Sequence, residues 1–149
     1  MSIMDATHSM QIRSFAPADT DAVIGLWRDC GLTRPWNDPH KDIARKLSVS
    51  PELFLAGTDG AGQLIASVMV GYDGHRGWIN YLAVHPRCQR QGHARRLMER
   101  AEQLLTERGC PKLNLQVREG NEAVIAFYES LGYSNDKTVS LGKRLIADI

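Results

Sequence analysis

The strongest constraint on the fold lies between Trp78 and Gly109, where the hydrophobic period changes from two to three or four across one short turn. Trp78-Ile79-Asn80-Tyr81-Leu82-Ala83-Val84 reads as a strand, and Pro86 closes it. Ala94, Leu97, Met98, Ala101, Leu104 and Leu105 then recur at helical spacing, and Gly109 ends the run. Between the two stands Gln89-Arg90-Gln91-Gly92-His93-Ala94. A turn of this kind gathers the unpaired N–H groups and the partial positive charge of a helix start at one point, which suits an anion. Gly92 permits close backbone approach, small Ala94 leaves room for a phosphate group, and Arg87, Arg90, Arg95 and Arg96 add positive charge around the turn. The predicted ligand is a diphosphate.

The rest of the chain supplies a frame for that turn. Gln11 to Phe15 alternate as a half-buried strand does, and a helix follows Pro17 from near Asp19, with Ala22, Val23, Leu26, Trp27 and Cys30 as its apolar stripe. Asp38 and Pro39 form an N-cap and N1 pair for a short second helix with Ile43 and Leu47 inward. From Leu53 to Val84 the pattern predicts a three-stranded antiparallel meander, divided at Asp59–Gly62 and Asp73–Gly77. A strand over Lys112–Arg118, a helix from Asn121 to Leu131, and one or two final strands from Tyr133 to near Leu145 complete the order. With 149 residues the chain has the length of a single domain, 1–149, whose first nine residues are expected to be flexible.

Composition narrows the classes of partner. Eighteen basic residues against 17 acidic ones leave a formal charge of +1, so nothing favours nucleic acid or an anionic membrane surface. The longest apolar run, Leu64–Val70, is too short to cross a bilayer. Cys30, Cys88 and Cys110 are odd in number and form no CxxC pair, which argues against a zinc site and for a reducing, cytoplasmic location; no metal is expected.

The P-loop pattern is absent, and no GxGxxG stands at a strand-to-helix turn. At Gln89, Gly92 and Ala94 the sequence resembles the GNAT superfamily of CoA-dependent N-acetyltransferases, whose pyrophosphate signature is Gln or Arg, two residues, Gly, one residue, then Gly or Ala. A second run, Asn121-Glu122-Ala123-Val124-Ile125-Ala126-Phe127-Tyr128-Glu129-Ser130-Leu131-Gly132-Tyr133, is similar to the family's N-x-x-A-x-x-F-Y-x-x-x-G-[FY] element, with Val124 displaced by one from the usual small position. Arg34–Pro39, the Gly71–Gly77 hairpin and the Leu141–Leu145 end look like the small bacterial YpeA-type acetyltransferases.

The resemblance implies a mixed α/β fold, the GNAT acyl-CoA N-acyltransferase fold. Its sheet is mostly antiparallel, of six or seven strands with about four helices, and its fourth and fifth strands are parallel and splayed. Main-chain groups of Leu82, Ala83 and Val84 would receive pantetheine in that gap, and Gln89, Arg90, Gln91, Gly92, His93, Ala94 and Arg95 would hold the pyrophosphate. The implied reaction moves the acetyl group of acetyl-CoA to a primary amine by direct attack, with Leu82 N–H facing the thioester oxygen. The acceptor stays open: a small molecule, an amino acid derivative or a protein amine. Tyr128 matches the position of the acid that serves the leaving thiolate, and Asn121 one that meets the pantetheine arm or caps its helix. Many relatives carry Glu where Asn80 stands, and an amide cannot take a proton near pH 7. Asp73, His75, Glu119, Tyr81 through a water chain, or solvent then remain as the base.

Other residues carry two readings each. Trp36 is a wall of the amine pocket or a core plug, and Asp73, His75 and Arg76 either face an acceptor or belong to a plain turn. His85 and His93 read as solvated or capping imidazoles, and Lys143 and Arg144 as a solvated strand end. Relatives often pair through their last strands, so a homodimer is among the implied assemblies. The main rival function is a non-catalytic acyl-CoA-binding or regulatory module, motivated by Asn80, and a weaker one is a nucleotide-phosphate binder. On the diphosphate reading, Gly92→Val abolishes affinity for CoA in a direct binding titration; wild-type affinity in that variant would refute the role given to the turn.

Overall fold

Residues 9–148 are described by a computed structural model, and they stack in three layers. The middle layer is a five-stranded sheet in sequential order: β1 (Gln11–Ser14), β2 (Phe54–Thr58), β3 (Leu64–Tyr72), β4 (Gly77–Val84) and β5 (Leu113–Leu115). Neighbours are antiparallel from β1 to β4, because tight turns join β2 to β3 and β3 to β4. The β4–β5 pair is parallel, and a helical crossover makes that possible. Helices α1 (Thr20–Asp29) and α2 (Pro39–Leu47) cover one face; α3 (His93–Glu107) and α4 (Glu122–Ser130) cover the other. The flexibility expected of the first nine residues falls, for residues 1–8, outside the described residues.

Each helix forms where its apolar spacing and caps agree. α1 buries Val23, Ile24, Leu26 and Trp27 against Phe15, Phe54 and Met69, while Ala22 points outward. α2 starts as expected: the Asp38 carboxylate accepts from the N–H groups of His40 at 2.9 Å and Lys41 at 3.4 Å, with Pro39 in the first turn. α3 lays Leu97, Met98, Ala101 and Leu105 against Val68, Val70 and Ile79. In α4 the buried position is Tyr128, with Val124 and Phe127 half-buried and Ala123 exposed. The inward face of that helix is therefore centred on Tyr128, which packs edge-on against both Phe127 and Tyr133.

The register of the sheet shifts at Gly57–Thr58 between β2 and β3, and again at the centre, between β3 and β4. β3–β4 pairing runs Met69↔Asn80 and then Ser67↔Ala83, so Tyr81 and Leu82 together oppose the single residue Val68. This is a β-bulge, and Tyr81 takes a left-handed φ of 53° in it. Such a conformation costs a non-glycine residue roughly 1–3 kcal/mol and persists only where neighbours hold it. Three contacts do so. The Tyr81 ring stacks on Trp27 with centroids 3.8 Å apart, its hydroxyl donates to Asp42 Oδ2 at 2.7 Å, and its carbonyl accepts from the Ser67 hydroxyl at 3.0 Å. Ser67 Oγ in turn accepts from the Trp27 indole N–H at 2.9 Å.

The six or seven strands expected from the resemblance become five. Of Lys112–Arg118 only Leu113–Leu115 pairs, and residues 133–148 form no strand. Side chains rather than a backbone ladder tie the segment after α4 to β5: Lys112 donates to Asp136 and Gln116 to Ser140. Val139, Leu141 and Leu145 stay exposed, so the alternation in this segment finds no sheet face to bury against.

Ser67 is fully buried, and Ser67→Ala leaves the Trp27 N–H and the Tyr81 carbonyl without it. Denaturant unfolding of that variant is expected to show a loss of about 1–3 kcal/mol. An unchanged midpoint would show that the bulge is held by other means.

Candidate active site

The last β4–β5 pair is Ile79↔Leu115, while β4 continues to Val84. The two strands therefore part just before the bulge, and a gap opens beside residues 80–84. Backbone groups along such a parting strand are available to an extended ligand. The available stretch is narrower than the expected Leu82–Val84. The Val84 carbonyl accepts from Gln89 Nε2 at 3.2 Å and from the Cys30 thiol at 3.3 Å, because Gln89 folds back onto the strand end.

Beyond that end the chain makes the glycine turn. Arg90 (φ 63°) and Gly92 (φ 82°) are both left-handed, and Gly92 is the N-cap of α3. A glycine N-cap brings no side chain to the first N–H groups of α3, and the helix begins without an acidic residue in its first turn. A Cβ placed on Gly92 would meet nothing within 4 Å, so the space over the turn is open. Arg87, Arg90, Arg95 and Arg96 are exposed around it, and Arg95 pairs with Glu99 at 3.3 Å. The donors and the charge fit a phosphate-bearing ligand. His93 departs from the expected solvated or capping imidazole: it is 3% exposed, with Nε2 3.2 Å from Gln91 Oε1, because the first turn of α3 seats it inward. His85 does cap, since its Nδ1 accepts from the Arg87 N–H at 3.2 Å.

Two faces of the sheet divide the remaining residues. Leu82, Val84, Ala94 and Tyr128 share one apolar cluster on the α3/α4 side. Tyr128 is 9% exposed, and burial pushes its phenol up to about 12. Asn121 occupies the N-cap position of α4 but makes no side-chain cap bond, so its amide is not committed to the helix start. Asn80 pairs with Met69 and so shares the α1/α2 side with Tyr81 and Ala83. The bulge places Asn80 and Tyr81 consecutively on that side, which strict alternation forbids.

The α1/α2 side also holds Trp36, which is 50% exposed and therefore no core plug. Arg118, just past β5, lies over its ring at 5.9 Å, so the Trp36 loop reaches the C-terminal end of the β4–β5 gap. A chain of polar contacts leads there from the bulge. Asp42 accepts from Tyr81, Arg45 donates to Asp42 Oδ1 at 3.2 Å and to Asp148 Oδ1 at 2.6 Å, and Asp148 Oδ2 accepts from the Asp38 N–H at 3.0 Å. Desolvation first, then Asp42, push the Tyr81 phenol far above its ordinary range. Arg144, expected on a solvated strand end, instead donates to Asn37 and faces Asp148.

The hairpin candidates sit elsewhere. Asp73 accepts from the N–H groups of Arg76 and His75 and from the Trp78 indole, which hold its carboxyl below the ordinary range. Gly77 and Leu82 are five residues apart on β4, about 16 Å of extended strand, so Asp73 and His75 lie at the opposite end from the bulge. The structure does not bring them to the gap. Glu119 is exposed in the loop after β5. Sequence reasoning missed Ser67, Asp42, Arg45 and Asp148. Asp42 and Arg45 show an i, i+3 signal on a predicted helix, but Ser67 and Asp148 carry none.

This geometry has known counterparts. Residues 19–133 match the acetyltransferase (GNAT) family, and the chain belongs to it. An acetyltransferase of Yersinia enterocolitica is 54% identical over 139 residues, covering 93% of this chain and 98% of that protein. Among solved structures, Ard1 from Thermoplasma volcanium superposes with a TM-score of 0.72 at 27% identity, over 84% of this chain and 82% of that one. The ribosomal-protein-S18-alanine N-acetyltransferase of Escherichia coli does so with a TM-score of 0.69 at 28% identity, over 83% and 77%. The mixed α/β fold and parallel β4–β5 pair are thus those of a GNAT-family protein, and the activity class the family defines is acyl transfer.

The tail contact has its own pH signature. Arg45 first, then the Asp38 N–H, hold the Asp148 carboxyl down at about 2. A depressed carboxylate contributes stability that is complete above its unfolded value near 4 and is lost as the pH falls toward 2. The Asp38 amide resonance is expected to titrate near pH 2 in an NMR acid series. A midpoint near 4 would show that the tail does not dock through Asp148.

Proposed function

We propose that the chain, acting as one domain over residues 1–149, transfers the acetyl group of acetyl-CoA to a primary amine by direct attack of the neutral amine. The observation that carries this reading is the parting of β4 from β5 after Ile79 and Leu115, beside a bulge and in line with the open turn at Gly92. Leu82 and Ala83 would hold an extended pantetheine arm by main-chain hydrogen bonds, and the N–H groups from Gly92 to Arg95 would hold its phosphates. Asn121, uncapped, is a side-chain partner for the same arm. When bound, the thioester supplies an activated acyl carbon and a thiolate leaving group.

The chain's own groups then have distinct tasks. The Leu82 N–H, at the bulge, donates toward the thioester oxygen; loss of one such donor typically costs ~10²-fold or more in rate. Tyr128 keeps its proton at neutral pH, since burial raises its phenol, and it stands with Leu82 and Ala94 in one cluster. It donates a hydrogen bond to the departing sulfur, whose thiol is far more acidic than a phenol so raised. Asn80 has no basic atom, and Tyr81 keeps its proton beside Asp42. Asn80 therefore orients the amine, and the amine loses its proton to water before attack. Free thiols at Cys30, Cys88 and Cys110 support a reducing compartment such as the cytoplasm.

A thiol-release assay with acetyl-CoA against a panel of amines tests the reaction: release with any amine is expected, and none would overturn it. Acetyl-CoA at ~100 times its dissociation constant should stabilise the fold by about 2.7 kcal/mol. Tyr128→Phe should lower kcat by roughly 10²-fold while leaving acetyl-CoA affinity within about twofold. Unchanged kcat would take Tyr128 out of the chemistry.

A further inference from the structure

The C-terminal segment does more than end the chain. Gly142–Ile146 lies across from Trp36 and Arg45, and together they line an open cleft of about 600 Å³. Three of its lining side chains are cationic, Arg45, Lys143 and Arg144, and none is acidic. Asp148 sits behind the cleft, fully shielded, and holds Arg45 at 2.6 Å and Arg144 at 3.9 Å. Lys143 makes no hydrogen bond or ion pair among the described residues, so one positive charge of the wall is unanswered. The remaining wall is apolar: Trp36, Leu145 and Ile146 are all at least half exposed.

The position of the cleft matters as much as its chemistry. Arg45 is one helical turn from Asp42, which accepts from Tyr81 at the bulge. On the other side Arg118, just beyond β5, covers Trp36. The cleft therefore flanks the β4–β5 gap on the α1/α2 side, away from the α3 turn. Cationic walls repel an ammonium and attract an anion, so the cleft suits the part of an acceptor that does not carry the amine.

We propose that the cleft between Trp36, Arg45 and Gly142–Ile146 binds the acceptor, and that the acceptor is a small primary amine with an apolar or aromatic body and an anionic group, a carboxylate or a phosphate. This rests on the acetyl-transfer reading. Lys143 is the specificity-determining residue, and Trp36 is the surface on which the body lies. Arg45 and Arg144 keep the wall in place through Asp148.

The test uses two matched pairs: phenylalanine against phenylalaninamide, and tyramine O-phosphate against tyramine. Each is offered to the full chain with acetyl-CoA for thiol release, and is separately titrated into the complex with CoA by calorimetry. At least one charged member is expected to exceed its neutral partner about tenfold in kcat/KM and in affinity, the size of one charge-assisted hydrogen bond. The pair that shows the effect says whether the anion is a carboxylate or a phosphate. Lys143→Glu, an exposed change, should erase the preference while leaving CoA affinity unchanged, and Trp36→Ala should weaken both members of a pair alike. Thiol release without charge selectivity, or selectivity that survives Lys143→Glu, overturns the cleft assignment and leaves acetyl transfer standing. Charge-selective binding without thiol release overturns acetyl transfer and leaves the cleft an anion site. Neither binding nor release with any probe overturns both.

Discussion

One buried hydroxyl organises the centre of this molecule. Ser67 takes the Trp27 indole N–H and gives its own proton to the Tyr81 carbonyl, so a helix, the middle strand and the bulge are joined at one oxygen. The strain of Tyr81 in the left-handed region is held by that bond together with the Trp27 stack and Asp42. Without the extra residue of the bulge, β4 would keep its alternation, and Asn80 and Tyr81 would face opposite sides of the sheet. With it, Leu82 turns to the α3/α4 side while both its predecessors turn to the α1/α2 side.

That division separates two electrostatic environments. On one side the turn at Gly92 presents uncapped helix N–H groups among exposed arginines, a positive environment. On the other, Arg45, Lys143 and Arg144 stand around an apolar floor at Trp36. Tyr128 belongs to the first side and Tyr81 to the second, and the same cause, burial, raises both phenols. Both keep their protons near neutral pH, so neither serves there as a base, and the two carboxylates that lead from the bulge to the tail are already engaged: Asp42 by Tyr81 and Arg45, Asp148 by Arg45 and Asp38.

Much of the frame was legible because local rules and tertiary demands agree. The meander, the Asp38 cap with Pro39, and the long α3 stripe ending before Gly109 all follow from period and turn chemistry, and each forms as read. The Gly92 turn was legible for the same reason: glycine takes at little cost the positive φ that it adopts as the N-cap of α3. Where the reading failed, long-range packing decided. His93 reads as a solvated or capping imidazole until the first turn of α3 seats it inward, and Tyr128 is buried because it meets the aromatic cluster with Phe127 and Tyr133. The alternation after Tyr133 resembles a strand, yet β5 is short and its outer side is met by side chains.

By itself, then, the sequence determined the GNAT frame and the glycine turn before α3, since both depend on residues close together in the chain whose conformational preferences are intrinsic. Tertiary structure alone decided the bulge at Tyr81, the join of Asp148 to Arg45 across 103 positions, and the cleft that the tail forms with Trp36. No local preference encodes such contacts. They arise when distant segments compete for the same hydrogen-bonding groups and the same exposed surface, and only the folded chain settles which of them meet.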